Sequence, residues 1–108
     1  MNNRELDKWL AENVMGWVGK HGRPNFFLAL WHPTEFISDA FQVVEKMMEK
    51  FPDWFFTLDV FGKNYHGDRF VATFQESAKA YIAYSCASGK TAPLAICLAA
   101  KEAIEGIE

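Results

Sequence analysis

Apolar side chains recur at helical intervals near the amino end of the chain. Their positions are Leu6, Trp9, Leu10, Val14, Trp17 and Val18. This spacing is typical of one face of an amphipathic helix. Asn2 or Asn3 can cap the helix, and Glu5 follows Asn2 at the three-residue spacing of a capping box. The glycines and the proline in residues 19–24 predict its end.

Two further helices are predicted, one before the middle of the chain and one at its carboxyl end. The earlier one runs from about Thr34 or Ser38 to Lys50. Its inward candidates are Phe36, Ile37, Ala40, Phe41, Val44, Met47 and Met48. The last helix begins at Thr91, which can act as its N-cap, with Pro93 in the first turn, where the missing N–H costs nothing.

Alternating apolar and polar residues predict three strands between these two helices. They cover residues 54–61, 69–75 and 80–85, with connections short enough for an antiparallel meander. The apolar run of residues 26–31 is either a further strand or a packed loop, because periodicity cannot decide so short a run. The pattern predicts one α+β domain, residues 1–108, with an antiparallel sheet of three or four strands packed by three helices.

Three segments spread over nearly the whole chain carry a family resemblance. They are residues 10–17 (LAENVMGW), residues 39–47 (DAFQVVEKM) and residues 91–100 (TAPLAICLAA). In order and spacing they resemble the phage ABA-sandwich domain, a family of small phage and prophage proteins. The resemblance implies an antiparallel sheet packed by helices and a phage or prophage origin, and it implies no catalytic residues. Residues 26–31 depart from the polar, Gly- and Trp-rich loop that is typical of the family at this place.

Composition and charge narrow the classes of function. Half of the 108 residues are hydrophobic, so the chain can build a core without disulfides or metals. The formal net charge is −3, with 11 basic residues scattered among 14 acidic ones, which argues against nucleic-acid binding. No apolar run approaches the roughly 20 residues that span a bilayer, and no secretory signal pattern occurs. We therefore expect a cytoplasmic protein of the bacterial host cell that does not contact the membrane.

The sequence Gly89-Lys90-Thr91 matches the second half of a phosphate-binding loop. The first half requires a glycine five positions before Gly89, and the chain has Tyr84 there, so the standard nucleotide-hydrolysing loop is excluded. A strand followed by these residues at a helix N-terminus still offers N–H groups, a positive dipole end and a lysine. Tyr84, Gly89, Lys90 and Thr91 are therefore candidates for binding an anion. In the structural alternative, Thr91 caps the helix, Gly89 makes the turn and Lys90 is solvated.

Aromatic residues make up 16% of the chain, more than we expect a core of this size to bury. Trp31, Trp54, Phe55 and Tyr65 are the candidates for exposure at an interface. Such a surface would suit a protein partner, a second copy of the chain or a planar ligand. The alternative is a sheet covered on both faces, which would bury most of these rings.

The remaining residues with reactive or metal-binding side chains form no recognisable site. His21, His32 and His66 have no partner at metal-ligand spacing, and the separation of Cys86 and Cys97 matches no zinc signature. Cys97 falls in an apolar helical run and is expected to be a small buried hydrophobe. No serine or cysteine has the context of a nucleophile. We expect no metal, no cofactor and no enzymatic activity.

These features predict a small non-enzymatic phage or prophage accessory protein that acts by binding. The expected partner is a host protein or a small phosphate-containing ligand such as a nucleotide-like signal, and the expected role is counter-defence. We also expect a homo-oligomer. A minor virion or assembly protein and a small enzyme are the alternatives.

Overall fold

Helices and strands follow one another in the predicted order. The computed structural model describes residues 1–17, 30–62, 67, 69–76 and 83–107. The elements are α1 (Asn3–Asn13), α2 (Ile37–Lys50), β1 (Trp54–Val60), β2 (Phe70–Glu76), β3 (Ala83–Gly89) and α3 (Ala92–Ile107). The strands form one antiparallel sheet in the order β1-β2-β3. The α+β class is thus confirmed. Residues 30 and 31 belong to no strand, and residues 26–29, the rest of the apolar run that is either a strand or a packed loop, lie outside the described residues.

The amino end of α1 is fixed by the capping pair that the sequence predicts. Asn2 Oδ1 accepts a hydrogen bond from the Glu5 N–H at 2.8 Å, and Asn2 Nδ2 donates to Glu5 Oε1 at 2.9 Å. The helix ends at Asn13, earlier than the apolar stripe predicted. Gly16 follows with φ +73°, a left-handed conformation that glycine adopts without steric cost. Trp17 therefore lies beyond the helix.

The third helix, α3, lies at the centre of the core. It packs against β2 and β3 on one side and against α1 and α2 on the other. Its fully buried residues are mostly small: Ala95, Ile96, Cys97, Ala99, Ala100 and Ala103. Because alanine adds only a methyl group to the backbone, the helix approaches both layers closely.

The helix-facing side of the sheet follows the predicted alternation. Phe74 and Ala72 are fully buried on β2, and the Phe56 ring of β1 packs on Phe74 with 5.0 Å between ring centroids. Thr57 and Asp59 are exposed on the opposite side of β1, as predicted. The alternation places Val60 on the helix-facing side as well, but it remains exposed.

The last strand ends further along the chain than the sequence predicts. The pattern predicts a strand over residues 80–85, whereas β3 covers Ala83–Gly89 and pairs Gly89 with Phe70 of β2. Residues 80–82, the predicted start, lie outside the described residues. Ser88 and Gly89 favour a turn by their own propensity. Pairing with β2 overrides that preference, as tertiary context commonly does in strands.

Only part of α2 is buried as its apolar pattern predicted. Ala40, Val44 and Met47 are buried and Met48 is half-buried, but Phe36, Ile37 and Phe41 are exposed. The prediction that these three side chains face inward is wrong. The apolar stripe of α2 is wider than the surface that α3 and β1 cover, so side chains at its margin and before its first turn remain outside the core.

Replacing Ser85 by alanine is expected to raise the free energy of unfolding or leave it unchanged. Its hydroxyl is buried on β3 with no hydrogen-bond partner among the described residues, and an unpaired buried polar group costs about 1–3 kcal/mol. Urea unfolding measures the effect, with Thr57→Ala on the exposed side of the sheet as control. A loss of more than about 1 kcal/mol for Ser85→Ala would contradict this account, since such a loss is typical of a hydrogen bond that is present.

Candidate functional site

The junction between β3 and α3 contains the residues predicted to bind an anion. Gly89 is buried at the end of β3, and Lys90 and Thr91 are exposed before the first turn of α3. A Cβ atom at Gly89 would lie 2.8 Å from the backbone nitrogen of Ala95 and 3.2 Å from its Cα. Glycine is therefore required here by close packing between the strand and the helix rather than by a turn. The backbone of Tyr84 belongs to β3, and its side chain lies outside the described residues.

Two amide groups at the start of α3 already have partners. Thr91 Oγ1 accepts a hydrogen bond from the Leu94 N–H at 3.3 Å, which confirms Thr91 as the cap. The Ala95 N–H donates to the Thr91 carbonyl at 3.1 Å, and Pro93 has no N–H. An anion would thus find the Lys90 ammonium group and few amide donors. Anion binding at Lys90 and Thr91 stays a prediction.

Two of the four aromatic residues predicted at an interface are buried. Trp31 is 4% exposed and Trp54 is 9% exposed, so their predicted exposure is wrong. The Trp31 indole N–H donates to Gln42 Oε1 at 2.7 Å, and the Trp54 ring stacks on Phe51 with 4.1 Å between centroids. Polar anchoring and stacking explain how these large rings are held in so small a core.

Phe55 is exposed on the side of β1 that faces away from the helices (the open side), as predicted. Tyr65 lies outside the described residues. The interface role that was assigned to both residues stays a prediction.

A group of apolar side chains at the start of α2 is exposed, although the sequence pattern predicts that they face inward. Phe36, Ile37 and Phe41 are 53%, 43% and 42% exposed, and we refer to them as the α2 surface. Phe36 precedes the helix, and its ring meets the His32 ring edge-on with 5.9 Å between centroids. Large apolar side chains grouped on a surface are typical of protein–protein interfaces.

A buried carboxylate on α1 fixes the chain that leads into this surface. Asp7 is 1% exposed. Its Oδ1 accepts a hydrogen bond from the Thr34 N–H at 3.0 Å, and its Oδ2 accepts one from Arg4 Nη1 at 3.0 Å. A buried charge is tolerated only when it is paired and hydrogen-bonded, and Asp7 meets both conditions.

Further hydrogen bonds extend from this carboxylate to α2. Arg4 Nη1 donates to the Trp31 carbonyl at 2.7 Å and lies 3.2 Å from His32 Nδ1. The backbone N–H of His32 donates to Asp39 Oδ2 at 2.9 Å. We call Arg4, Asp7, His32, Thr34 and Asp39 the Asp7 cluster, and it ties residues 31–34 to both α1 and α2.

The sequence did contain a signal for the Asp7 cluster. Asp7 and Ala11 lie on one side of α1, with Val14 at its C-cap, and all three residues are buried. A carboxylate at such a position requires a partner. The partners Thr34 and His32 are far away in the sequence, so only the tertiary structure identifies them.

The two cysteines differ in environment and in expected reactivity. Burial raises the pKa of the Cys97 thiol well above its ordinary value, and the nearby charge of Asp7 raises it further. Cys97 is therefore a protonated, buried side chain, as predicted, and not a nucleophile. Cys86 is exposed on β3, where its Sγ accepts a hydrogen bond from Thr73 Oγ1 at 3.7 Å.

The described residues contain neither a grouping suited to a metal ion nor a helix suited to a membrane. Within that part of the chain, no three His, Cys, Asp or Glu side chains are grouped so that they could hold a metal ion. None of the described helices has both the length and the apolar character needed to cross a bilayer.

Comparisons with known proteins agree on family and fold. The sequence model of the phage ABA sandwich domain matches residues 8–101. The crystal structure of a phage protein from Bacillus cereus ATCC 14579 is similar to the chain with a TM-score of 0.70 and 21% sequence identity. The alignment covers 95% of this chain and 92% of that chain, and at this identity it shows the fold alone. No curated protein matches the sequence.

Gly89→Ala is expected to lower the free energy of unfolding by about 1–3 kcal/mol, the usual cost of forcing extra volume into a packed site. The added methyl group would collide with the backbone of α3 at Ala95. Gly62→Ala is the matched control, because a Cβ at Gly62 meets nothing within 4 Å. Equal stability of the two variants in urea unfolding would show that close packing does not require Gly89.

Asp7→Ala is expected to cost about 1–3 kcal/mol of unfolding free energy, because the buried Thr34 N–H loses its acceptor. Asp7→Asn should cost less, since its amide oxygen can still accept this hydrogen bond. Glu12→Ala on the exposed side of α1 is the control. If Asp7→Ala were as mild as Glu12→Ala, the Asp7 cluster would not hold residues 31–34 in place.

Proposed function

Because the chain belongs to the phage ABA-sandwich domain family, we propose that it is a non-enzymatic phage or prophage accessory protein that binds a host protein. The proposed place of action is the host cytoplasm. The proposed role is counter-defence, in which the bound host factor is kept from its normal work. The observation that carries the proposal is the α2 surface.

The α2 surface combines exposed apolar area with a fixed shape. Phe36, Ile37 and Phe41 follow directly on residues 31–34, which the Asp7 cluster ties to two helices. A preformed surface loses little conformational entropy on binding, so more of its apolar burial appears as affinity. Aromatic side chains held in this way are typical anchors of protein interfaces.

A protein partner is favoured over a phosphate-containing ligand by the state of the α3 N-terminus. Thr91 Oγ1 and the Leu94 N–H are already hydrogen-bonded to each other, and Pro93 offers no donor. A phosphate site at a helix N-terminus depends on several amide groups that point at the anion. Sequestration of a nucleotide-like ligand by Lys90 and Thr91 is therefore the second version of the proposal.

The test is affinity capture from host lysate followed by quantitative mass spectrometry. The baits are the unchanged chain, the double variant Phe36→Ser/Phe41→Ser, and Leu98→Ser as control. Leu98 is an exposed apolar residue of α3, so its variant removes exposed apolar area elsewhere on the molecule. We expect a host protein that the unchanged chain and Leu98→Ser retain and the double variant loses. With that protein purified, Kd should rise by at least about 30-fold, since loss of an anchor residue costs about 2 kcal/mol.

Three results would contradict the proposal. One is a captured protein that the double variant binds as well as the unchanged chain. Another is a stoichiometric amount of the chain in purified phage particles, which would indicate a virion or assembly protein. The third is nucleotide binding that is lost in Lys90→Ala and accompanied by no host protein, which would favour the ligand version.

A further inference from the structure

Strand β1 has backbone groups that the sheet leaves unpaired. The Phe61 N–H donates to the Arg69 carbonyl at 2.7 Å, so these two residues form a hydrogen-bonded pair opposite each other. Such pairs alternate along an antiparallel ladder, and the register pairs Asp59 with Val71 and Thr57 with Thr73 in the same phase. The N–H and carbonyl groups of Phe56, Leu58 and Val60 therefore point away from β2. Among the described residues, no strand pairs with this edge.

Within the described residues, the outer edge of β1 lacks the features that protect edge strands from pairing. Natural edges carry prolines, inward-pointing charges or bulges. β1 has the sequence WFFTLDV, with no proline, and its one charge, Asp59, is on the side of the sheet away from the helices. The shift in register that the sheet contains lies between β2 and β3. Val60 is 60% exposed at the end of the strand, so an apolar side chain accompanies the unpaired backbone.

One antiparallel register makes this edge complementary to itself. With a twofold axis at Leu58, the three residues whose backbone groups point away from β2 pair among themselves: Leu58 with Leu58 of the second copy, and Phe56 with Val60. Each of these pairs exchanges two hydrogen bonds. This register does not need a hydrogen bond from Trp54, whose N–H already donates to the Phe51 carbonyl at 3.0 Å.

Side chains on both sides of the sheet are compatible in this register. On the helix-facing side, Phe56 meets Val60 and Leu58 meets its own copy, so all contacts are apolar. On the open side, Phe55 stands opposite Phe61, and Asp59 stands opposite Thr57 rather than opposite the other Asp59. Aromatic pairs across strands stabilise a sheet, whereas like charges directly opposite each other destabilise it.

From this complementarity we propose that the chain forms a homodimer in which the two β1 strands pair antiparallel about Leu58. The dimer has one continuous sheet of two times three strands, with the helices of both copies on the same side. This interface uses the backbone edge of β1 and is independent of the host partner proposed above. Twofold pairing of identical surfaces is the commonest form of protein oligomer.

Light scattering after size exclusion tests the dimer, and a proline variant tests the edge. The unchanged chain should have twice the 12.3 kDa mass of one copy over a range of about 1–100 μM, which covers weak and moderate affinities. Val60→Pro removes an N–H that points away from β2, and proline is tolerated at such edge positions. We expect this variant to be a folded monomer by circular dichroism and light scattering. Val60→Thr keeps the N–H and should stay dimeric.

Cysteine cross-linking tests the register without depending on the proline variant. In a Cys86→Ala background, Thr57→Cys and Asp59→Cys chains are oxidised separately and as a mixture. Thr57 and Asp59 would face each other across the interface at about 4.5 Å between Cα atoms, which a disulfide can bridge. We expect covalent dimers in the mixture alone.

The proposal fails if the unchanged chain is a monomer throughout the concentration range. It also fails if folded Val60→Pro stays as dimeric as the unchanged chain. Cross-linking of Thr57→Cys with itself, or no cross-linking in the mixture, would overturn the register about Leu58.

Discussion

The fold depends on the close approach of α3 to the strands and helices that surround it. Small residues on α3 allow the sheet to pack on one side and α1 and α2 on the other. At the end of β3 the approach is so close that Gly89 has no room for a Cβ atom. Interiors packed at this density tolerate little change in volume. The position of α3 therefore constrains the positions of β2, β3, α1 and α2, which pack against it.

The close packing of α3 has consequences at the periphery of the molecule. Seven of the 19 buried hydrophobic residues among those described are alanines, and Phe74, Trp31 and Trp54 are the buried aromatic side chains in that set. α2 reaches α3 and β1 with one side, so Ile37 and Phe41 at the margin of its apolar stripe stay exposed. β1 lies at the end of the described sheet, and no described strand pairs with its outer backbone groups. The α2 surface and the outer edge of β1, the two surfaces proposed for binding, thus lie at the margin of the core.

Polar interactions determine how one of these surfaces is presented. Asp7 is taken out of water next to the buried thiol of Cys97, at a cost that Arg4 and the Thr34 N–H offset. Through His32 and Asp39 the same cluster reaches the first turn of α2. A loop made only of apolar contacts could shift. The directional hydrogen bonds of this cluster fix residues 31–34 and, with them, the place of Phe36.

The sequence by itself determined the features that depend on neighbouring residues. Helical periodicity located the helices, Asn2 with Glu5 and Thr91 capped two of them, and strict alternation assigned the two sides of β1. The absence of a glycine at Tyr84 excluded the nucleotide-hydrolysing loop. Family membership followed from segments that are mainly helix sides and caps. These features are local because hydrogen bonding and side-chain direction within one turn or one strand are set by residues close in sequence.

Only the tertiary structure decided which apolar residues are covered and which polar residues meet. Trp31 is buried with its indole N–H bonded to Gln42, and Trp54 is buried with its ring stacked on Phe51. Phe36, Ile37 and Phe41 are exposed because no described element covers them. Ser88 and Gly89 belong to a strand because β2 pairs with them. The role of Asp7 in holding residues 31–34 is shown only by its hydrogen bond to Thr34, which is distant in the sequence. Burial depends on the area that distant elements present to one another, and a periodic pattern along a single element contains no measure of that area.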